Sequence, residues 1–123
     1  MLYAIFCYDD EAVTCGWSKD KDDEVMANLG AVQARLTAQG RLGPVARLMP
    51  TTTATTIRKG KEPVVMDGPF AETKEQLLGF YVLECESLDD AIAAANDLAR
   101  ASGSAGAFEL RPIQLFRPGG PVG

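Results

Sequence analysis

Met66-Asp67-Gly68-Pro69-Phe70-Ala71-Glu72-Thr73-Lys74-Glu75-Gln76-Leu77-Leu78-Gly79-Phe80-Tyr81 joins two apolar, strand-like runs through a polar connection too long for a tight hairpin. Connections of that length inside a small domain are commonly functional. Pro69 fixes its own φ and drives Gly68 toward extended or glycine-only backbone, so the segment is a stiff bend. Two duties are open to Asp67 at the strand end. It can accept hydrogen bonds from the amides that follow, as in an Asx turn, or project a carboxylate into a cleft walled by Phe70 and rimmed by Glu72, Thr73 and Lys74.

Downstream, Phe80-Tyr81-Val82-Leu83-Glu84-Cys85 is an apolar strand without clean alternation. Ser87 then caps a helix over residues 88–101. Asp90 completes a capping-box arrangement, and Leu88, Ala91, Ile92, Ala95, Leu98 and Ala99 form the expected buried face. Residues 107–116 read as the last strand, with Pro112 implying an edge or a bulge. Upstream, the β-branched run over 51–58 and the short run Pro63-Val64-Val65-Met66 flank the turn Lys59-Gly60-Lys61-Glu62, which predicts a hairpin. Residues 41–49 offer another extended segment, with Leu42, Val45 and Leu48. Val25, Leu29, Val32 and Leu36 draw one stripe along a helix over 22–39, stopped by Gly40. A loop over 9–21 precedes that helix, and residues 2–8 form an apolar first strand.

The order of elements is the split βαβ plan of a ferredoxin-like α+β domain: a βαββαβ-type protomer with an antiparallel sheet and two helices on one face. A length of 123 residues supports one core, and we read residues 1–116 as a single domain followed by a loose tail over 117–123. Two helices cover only one face of such a sheet, whereas the runs at 2–8 and 80–83 present large apolar side chains to both. A second copy is the simplest cover, so a homodimer through the sheet face is expected. The alternative is a monomer whose loops over 9–21 and 67–78 fold across that face.

A net charge of -5 without a run of Lys or Arg gives no footprint for nucleic acid. The apolar amino terminus lacks the flanks of a signal peptide and the length of a membrane span, and a cytoplasmic protein is expected. Cys7, Cys15 and Cys85 lack metal-type spacing and read as reduced, structural thiols, Cys15 the most exposed of them. Neither a metal nor a cofactor is expected. Glu84 with Glu86 and the mixed run over 20–24 read as solvated charges. Arg58 and Arg111 suit an anionic ligand or protect a sheet edge. Tyr3, Tyr8 and Tyr81 place hydroxyls at a pocket or serve packing.

The stretch 67–81 resembles the signature of the DGPF branch of the YCII-related family, small bacterial proteins of the dimeric α+β barrel type. The resemblance extends to the first strand ending at Tyr8-Asp9, the Thr-rich run at 51–58, Leu88-Asp89-Asp90-Ala91 and Glu109-Leu110-Arg111-Pro112-Ile113. It implies a ferredoxin-like protomer that dimerises through its sheet, with a pocket between sheet, helix and signature loop. Tyr8, Asp67, Gly68, Pro69, Phe70, Glu72, Thr73 and Lys74 are the residues expected around a small-molecule ligand. For the broader family, the resemblance also implies a His-Asp pair in the pocket. This chain contains no histidine, and Leu29, beside Asn28, stands where many relatives carry it.

Three classes of function therefore stay open. One is a small-molecule binder in which Asp67 orients the ligand. Another is an enzyme using Asp67 as acid or base, which without imidazole needs a carboxyl raised by burial against a neighbour such as Phe70. The third is a regulatory interaction module, since the DGPF family is sometimes encoded beside or joined to alternative sigma factors.

Overall fold

The computed structural model describes residues 1–121. The chain runs β1 (Leu2–Asp9), α1 (Glu11–Thr14), α2 (Lys19–Ala38), β2 (Leu42–Arg47), a 3-10 turn (Thr51–Thr53), β3 (Thr55–Arg58), β4 (Val64–Asp67), β5 (Gln76–Glu84), α3 (Leu88–Ser102) and β6 (Ala107–Pro112). β1 lies antiparallel to β5 on one side and to β6 on the other, and β2 adds antiparallel to β5. The resulting order, β2-β5-β1-β6, is the antiparallel ferredoxin-like sheet expected from the order of elements. Pro112 sits on the edge strand β6, where its missing amide costs no ladder bond.

Both long helices lie on one face. Tyr3 and Ile5 of β1, Tyr81 and Leu83 of β5, Leu36 of α2, and Ala91, Ala94, Ala95 and Leu98 of α3 form one buried cluster. The alternate residues Ala4, Phe6 and Phe80 point to the opposite face and are half-buried, while Val82 there is only 6% exposed. The central strands β1 and β5 carry apolar residues on both faces, of which the helices cover one.

Local chemistry explains the helix ends. Ser18 caps α2 by accepting from the Lys21 amide at 3.1 Å, with Asp20 and Asp22 in the positive first turn. At the other end Gly40 has φ +69°, Gly40 N donates to the Thr37 carbonyl and Arg41 N to that of Leu36, which is the paired bonding of a Schellman stop. In α3, Ser87 accepts from the Asp90 amide at 3.1 Å while the Asp90 carboxylate accepts from the amide of Glu86, one residue before the cap. Asp90 also receives Arg41 at 2.9 Å, tying the start of β2 to the start of α3.

Several expectations need correction. Segment 9–21 is not all loop: Asp10 caps α1, and α2 starts at Lys19, ahead of residue 22, because Ser18 caps it by accepting from the Lys21 amide and leaves Asp20 and Asp22 to the positive first turn. Residues 51–53 form a 3-10 turn, so the third strand starts at Thr55 instead of 51. β5 begins at Gln76, shortening the expected loop, and β6 ends at Pro112, short of 116. On α3, Leu88 and Ile92 are exposed and Ala94 is buried, so the inward face is rotated from the expected one. The expected tail falls partly on residues 122–123, outside the described residues, and 117–121 form no helix or strand.

Gly79 of β5 lies under the Ala46 carbonyl, in space that a Cβ would have to share with that oxygen. Gly79→Ala is expected to cost roughly 1–3 kcal/mol, as overpacking against backbone does, measured as a lowered urea midpoint with unchanged slope.

Candidate functional site

The buried cluster fills only one end of the space between helices and sheet. Beneath the N-terminal half of α2 and the C-terminal half of α3 a cleft of about 730 Å³ remains. It crosses the sheet from the β2 edge, at Val45 and Leu48, to the β6 edge, at Phe108 and Leu110. Val25, Met26 and Leu29 supply its wall from α2, and Ile92, Ala95 and Ala99 its wall from α3. The opening has a sequence cause: at this end the sheet and α3 present Gly79, Ala46, Ala95, Ala99 and Ala107, too small to fill the layer. Ile92 and Ala99, expected in the core, face this cleft instead.

The charged groups gather at the mouth, while Gln33, Tyr81 and Asn96 add polar groups to the lining. Register is irregular between Cys7 and Tyr8, and both residues line the cleft despite being neighbours on a strand. Asp9 accepts from the Asp10 amide at 2.8 Å and from the Ser104 hydroxyl. Glu11 accepts from the Thr51 amide at 3.0 Å and from the Thr51 hydroxyl, while its own amide donates to Gln76 Oε1 at 3.0 Å. Through these bonds α1 is stitched to the 3-10 turn and to the start of β5. Arg47 on the same lining is held by Asp22 at 2.9 Å. Trp17 also lines the mouth, with the Lys21 Nζ 5.7 Å from its ring centroid.

The titratable groups inside are kept neutral. Burial pushes the Cys7 thiol up from 9.0 to about 12. Burial also raises the Tyr81 hydroxyl, with the Cys7 charge acting in the same sense and the Gln33 side chain in the opposite one. Cys85, buried in the core, is raised chiefly by desolvation, against a smaller opposing effect of Arg41. All three cysteines are free, and Cys15 is exposed. No group of three or more metal-ligating carboxylates or thiols stands together among the described residues.

Of the residues expected around a ligand, Tyr8 lines the cleft; Asp67, Gly68, Pro69, Phe70, Glu72, Thr73 and Lys74 do not. Asp67 ends β4 and the others follow the β3–β4 hairpin, a two-stranded arm that forms a sheet of its own. Asp67 pairs with Thr55 at the arm's base, and the Gly68 amide donates to Ala54 at 2.8 Å. Thr56 Oγ1 donates to the Gly68 carbonyl at 2.8 Å, and Gly68 takes φ +95°. The bend is therefore closed by the arm's own backbone and by Thr56. Asp67 is exposed, and Phe70, at 73% exposed, packs its ring against Arg58 at 5.2 Å. Sequence reasoning missed Asp9, Glu11, Trp17 and Asp22 as mouth residues. The available signal was the cap chemistry at Asp10 and Ser18, which folds segment 9–21 into two helix starts.

A ferredoxin-like α+β protomer with a cleft between its helices and sheet is the class that this geometry defines. A YCII-related domain matches residues 1–117, and an uncharacterized protein of Rhizobium meliloti (strain 1021) is 58% identical over 120 residues, covering 97% of each chain. The chain belongs to the YCII-related family.

Because the folded chain keeps Cys7 protonated while the unfolded chain ionises above its ordinary value, unfolding releases a proton at alkaline pH. The stabilisation is complete below pH 9.0 and is lost as pH rises toward about 12. Urea melts should show stability falling through that window, with Cys7 contributing at most about 1.4 kcal/mol per pH unit alongside Tyr81 and Cys85, and the fall should be less steep in Cys7→Ala. Thiol labelling of the native protein near neutral pH should modify Cys15 and spare Cys7 and Cys85.

Proposed function

We propose that this chain is a homodimeric, cytoplasmic small-molecule-binding protein of the DGPF branch, with its ligand in the cleft between helices and sheet. The observation that carries the reading is the cleft itself: about 730 Å³, largely apolar in its walls, with Gln33, Tyr81 and Asn96 as polar groups among them and the charged groups at the mouth. Such dimensions and such a division of chemistry suit one small organic ligand. The branch assignment rests on Asp67-Gly68-Pro69-Phe70 and the residues after it. Free cysteines favour a reducing compartment, and no described helix is long and apolar enough to cross a membrane.

Two surfaces support the dimer. The sheet face opposite the helices carries Ala4, Phe6 and Phe80, and the arm exposes Ile57, Val65 and Phe70. An isolated two-stranded hairpin is marginal in water, so an arm with apolar side chains on it gains from a second copy. In this reading Asp67, Gly68, Pro69, Phe70, Glu72, Thr73 and Lys74 form a flap beside the mouth, because Thr51, at the arm's base, already holds Glu11 of the mouth. Asp67 then orients a ligand by accepting a hydrogen bond.

Binding is tested by a metabolite-library thermal-shift screen on three proteins: wild type, Ala99→Trp, which fills the cleft from an exposed wall position, and Asp67→Asn. A ligand should raise the wild-type melting temperature, lose its effect in Ala99→Trp and keep a weakened effect in Asp67→Asn. A shift unaffected by Ala99→Trp would place the ligand elsewhere. Light scattering at micromolar concentration should report a dimer, and Phe80→Asp should shift it toward monomer.

A further inference from the structure

Resting on the reading of the cleft as a ligand site, we propose that its ligand is a small organic cation, an apolar body carrying an amine. The walls fix the first half of that description: Val25, Leu29, Val45, Ile92, Phe108 and Leu110 offer no charge to the ligand's body.

The mouth fixes the second half. Its lining holds the carboxylates of Asp9, Glu11 and Asp22 against the single guanidinium of Arg47. Arg47 is already neutralised by Asp22 at 2.9 Å. Asp9 and Glu11 receive only neutral donors, the Asp10 amide with the Ser104 hydroxyl and the Thr51 amide with the Thr51 hydroxyl. No cation pairs with either among the described residues. These bonds fix the two carboxylates in place and leave their charge uncompensated. An entering anion meets like charge and, among the lining residues, only a guanidinium that is already paired, the one unpaired ammonium nearby among the described residues being that of Lys21 beside Trp17, whereas an amine meets two oriented acceptors beside low-dielectric walls.

The aromatic part of the mouth points the same way. Trp17 has the Lys21 ammonium 5.7 Å from its ring centroid, so one face of the indole already serves as a cation platform. A ligand ammonium takes that face by displacing the half-buried Lys21 side chain from the ring.

The test is a matched series on one scaffold: 2-phenylethylamine, 2-phenylethanol and phenylacetate, titrated into the wild-type protein by calorimetry at low ionic strength. The amine should bind roughly tenfold or more tighter than the carboxylate, with the alcohol between them, and the gap should narrow as salt is added. Asp22→Asn removes one carboxylate and frees Arg47, so it should shrink the gap or reverse it. Because the salt dependence is read on wild type, a failure of that variant to fold leaves the inference testable. A carboxylate that binds as well as the amine, or an alcohol that equals it at every salt concentration, overturns the cationic ligand while leaving the cleft a binding site. No heat from any of the three at millimolar concentration, with no effect of Ala99→Trp in the library screen, overturns both.

Discussion

Uneven filling of the layer between helices and sheet is the constraint on which the rest of this structure depends. Ile5, Leu36, Leu83 and Leu98 are almost completely buried together at one end and wedge α2 and α3 at a fixed height above the strands. Toward the other end the helices still touch, since Gly103 lies where a Cβ would come within 3.0 Å of Val25 Cγ2. The sheet beneath them, however, sets Ala46, Gly79 and Ala107 among its larger residues and so leaves space. Interiors normally pack to crystal-like density, so a gap of about 730 Å³ held open between rigid elements is a feature that the fold maintains against collapse. The Arg41–Asp90 pair at the packed end, and the Glu11–Thr51 and Asp9–Ser104 bonds at the open end, resist closing of the layer from either side.

Much of this was legible in the residues. The stripe Val25, Leu29, Val32 and Leu36, the stop at Gly40 and the cap at Ser87 each encode their local structure through nearest-neighbour chemistry, and those elements stand where periodicity places them. Element order then fixes the ferredoxin-like topology with few alternatives. The cleft was not legible, because periodicity reports which side of a helix is apolar and says nothing about whether the facing layer fills the space. Ile92 and Ala99 illustrate the difference: both lie on the apolar side of α3, yet they face the cleft while Ala94 and Leu98 are buried. The mouth escaped for a second reason. Asp9, Glu11 and Asp22 come together only through the α1 turn and the long-range bond to Thr51, which no local pattern announces.

The arm illustrates a different limit. Its sequence reads as a hairpin and it is one, but the residues that follow it look like a site when met as sequence because the bend is so distinctive. In the folded chain much of that distinctiveness is spent on the backbone. Gly68 takes a positive φ, its amide and carbonyl are satisfied by Ala54 and Thr56, and Arg58 packs on Phe70. Stiffness of this kind suits a projecting element that must hold its shape without a core beneath it, as the exposed β4 residues Val64, Val65 and Met66 require.

Leu29 connects the two halves of the argument. In the sequence resemblance it stands where many relatives carry a histidine, and in the structure it lies on the cleft wall. In this chain an alkyl group therefore lies at that point of the wall. Imidazole is the side chain that most readily exchanges protons near neutrality, and a leucine in its place makes the wall drier and chemically inert. The buried Cys7 and Tyr81 do not restore that capacity, since burial holds both in their protonated forms. What remains at the cleft is an apolar volume with carboxylates fixed at its entrance by neutral donors. Such an arrangement sets an apolar wall behind a charged entrance, and the proposed selection of a ligand by shape and charge rests on that division.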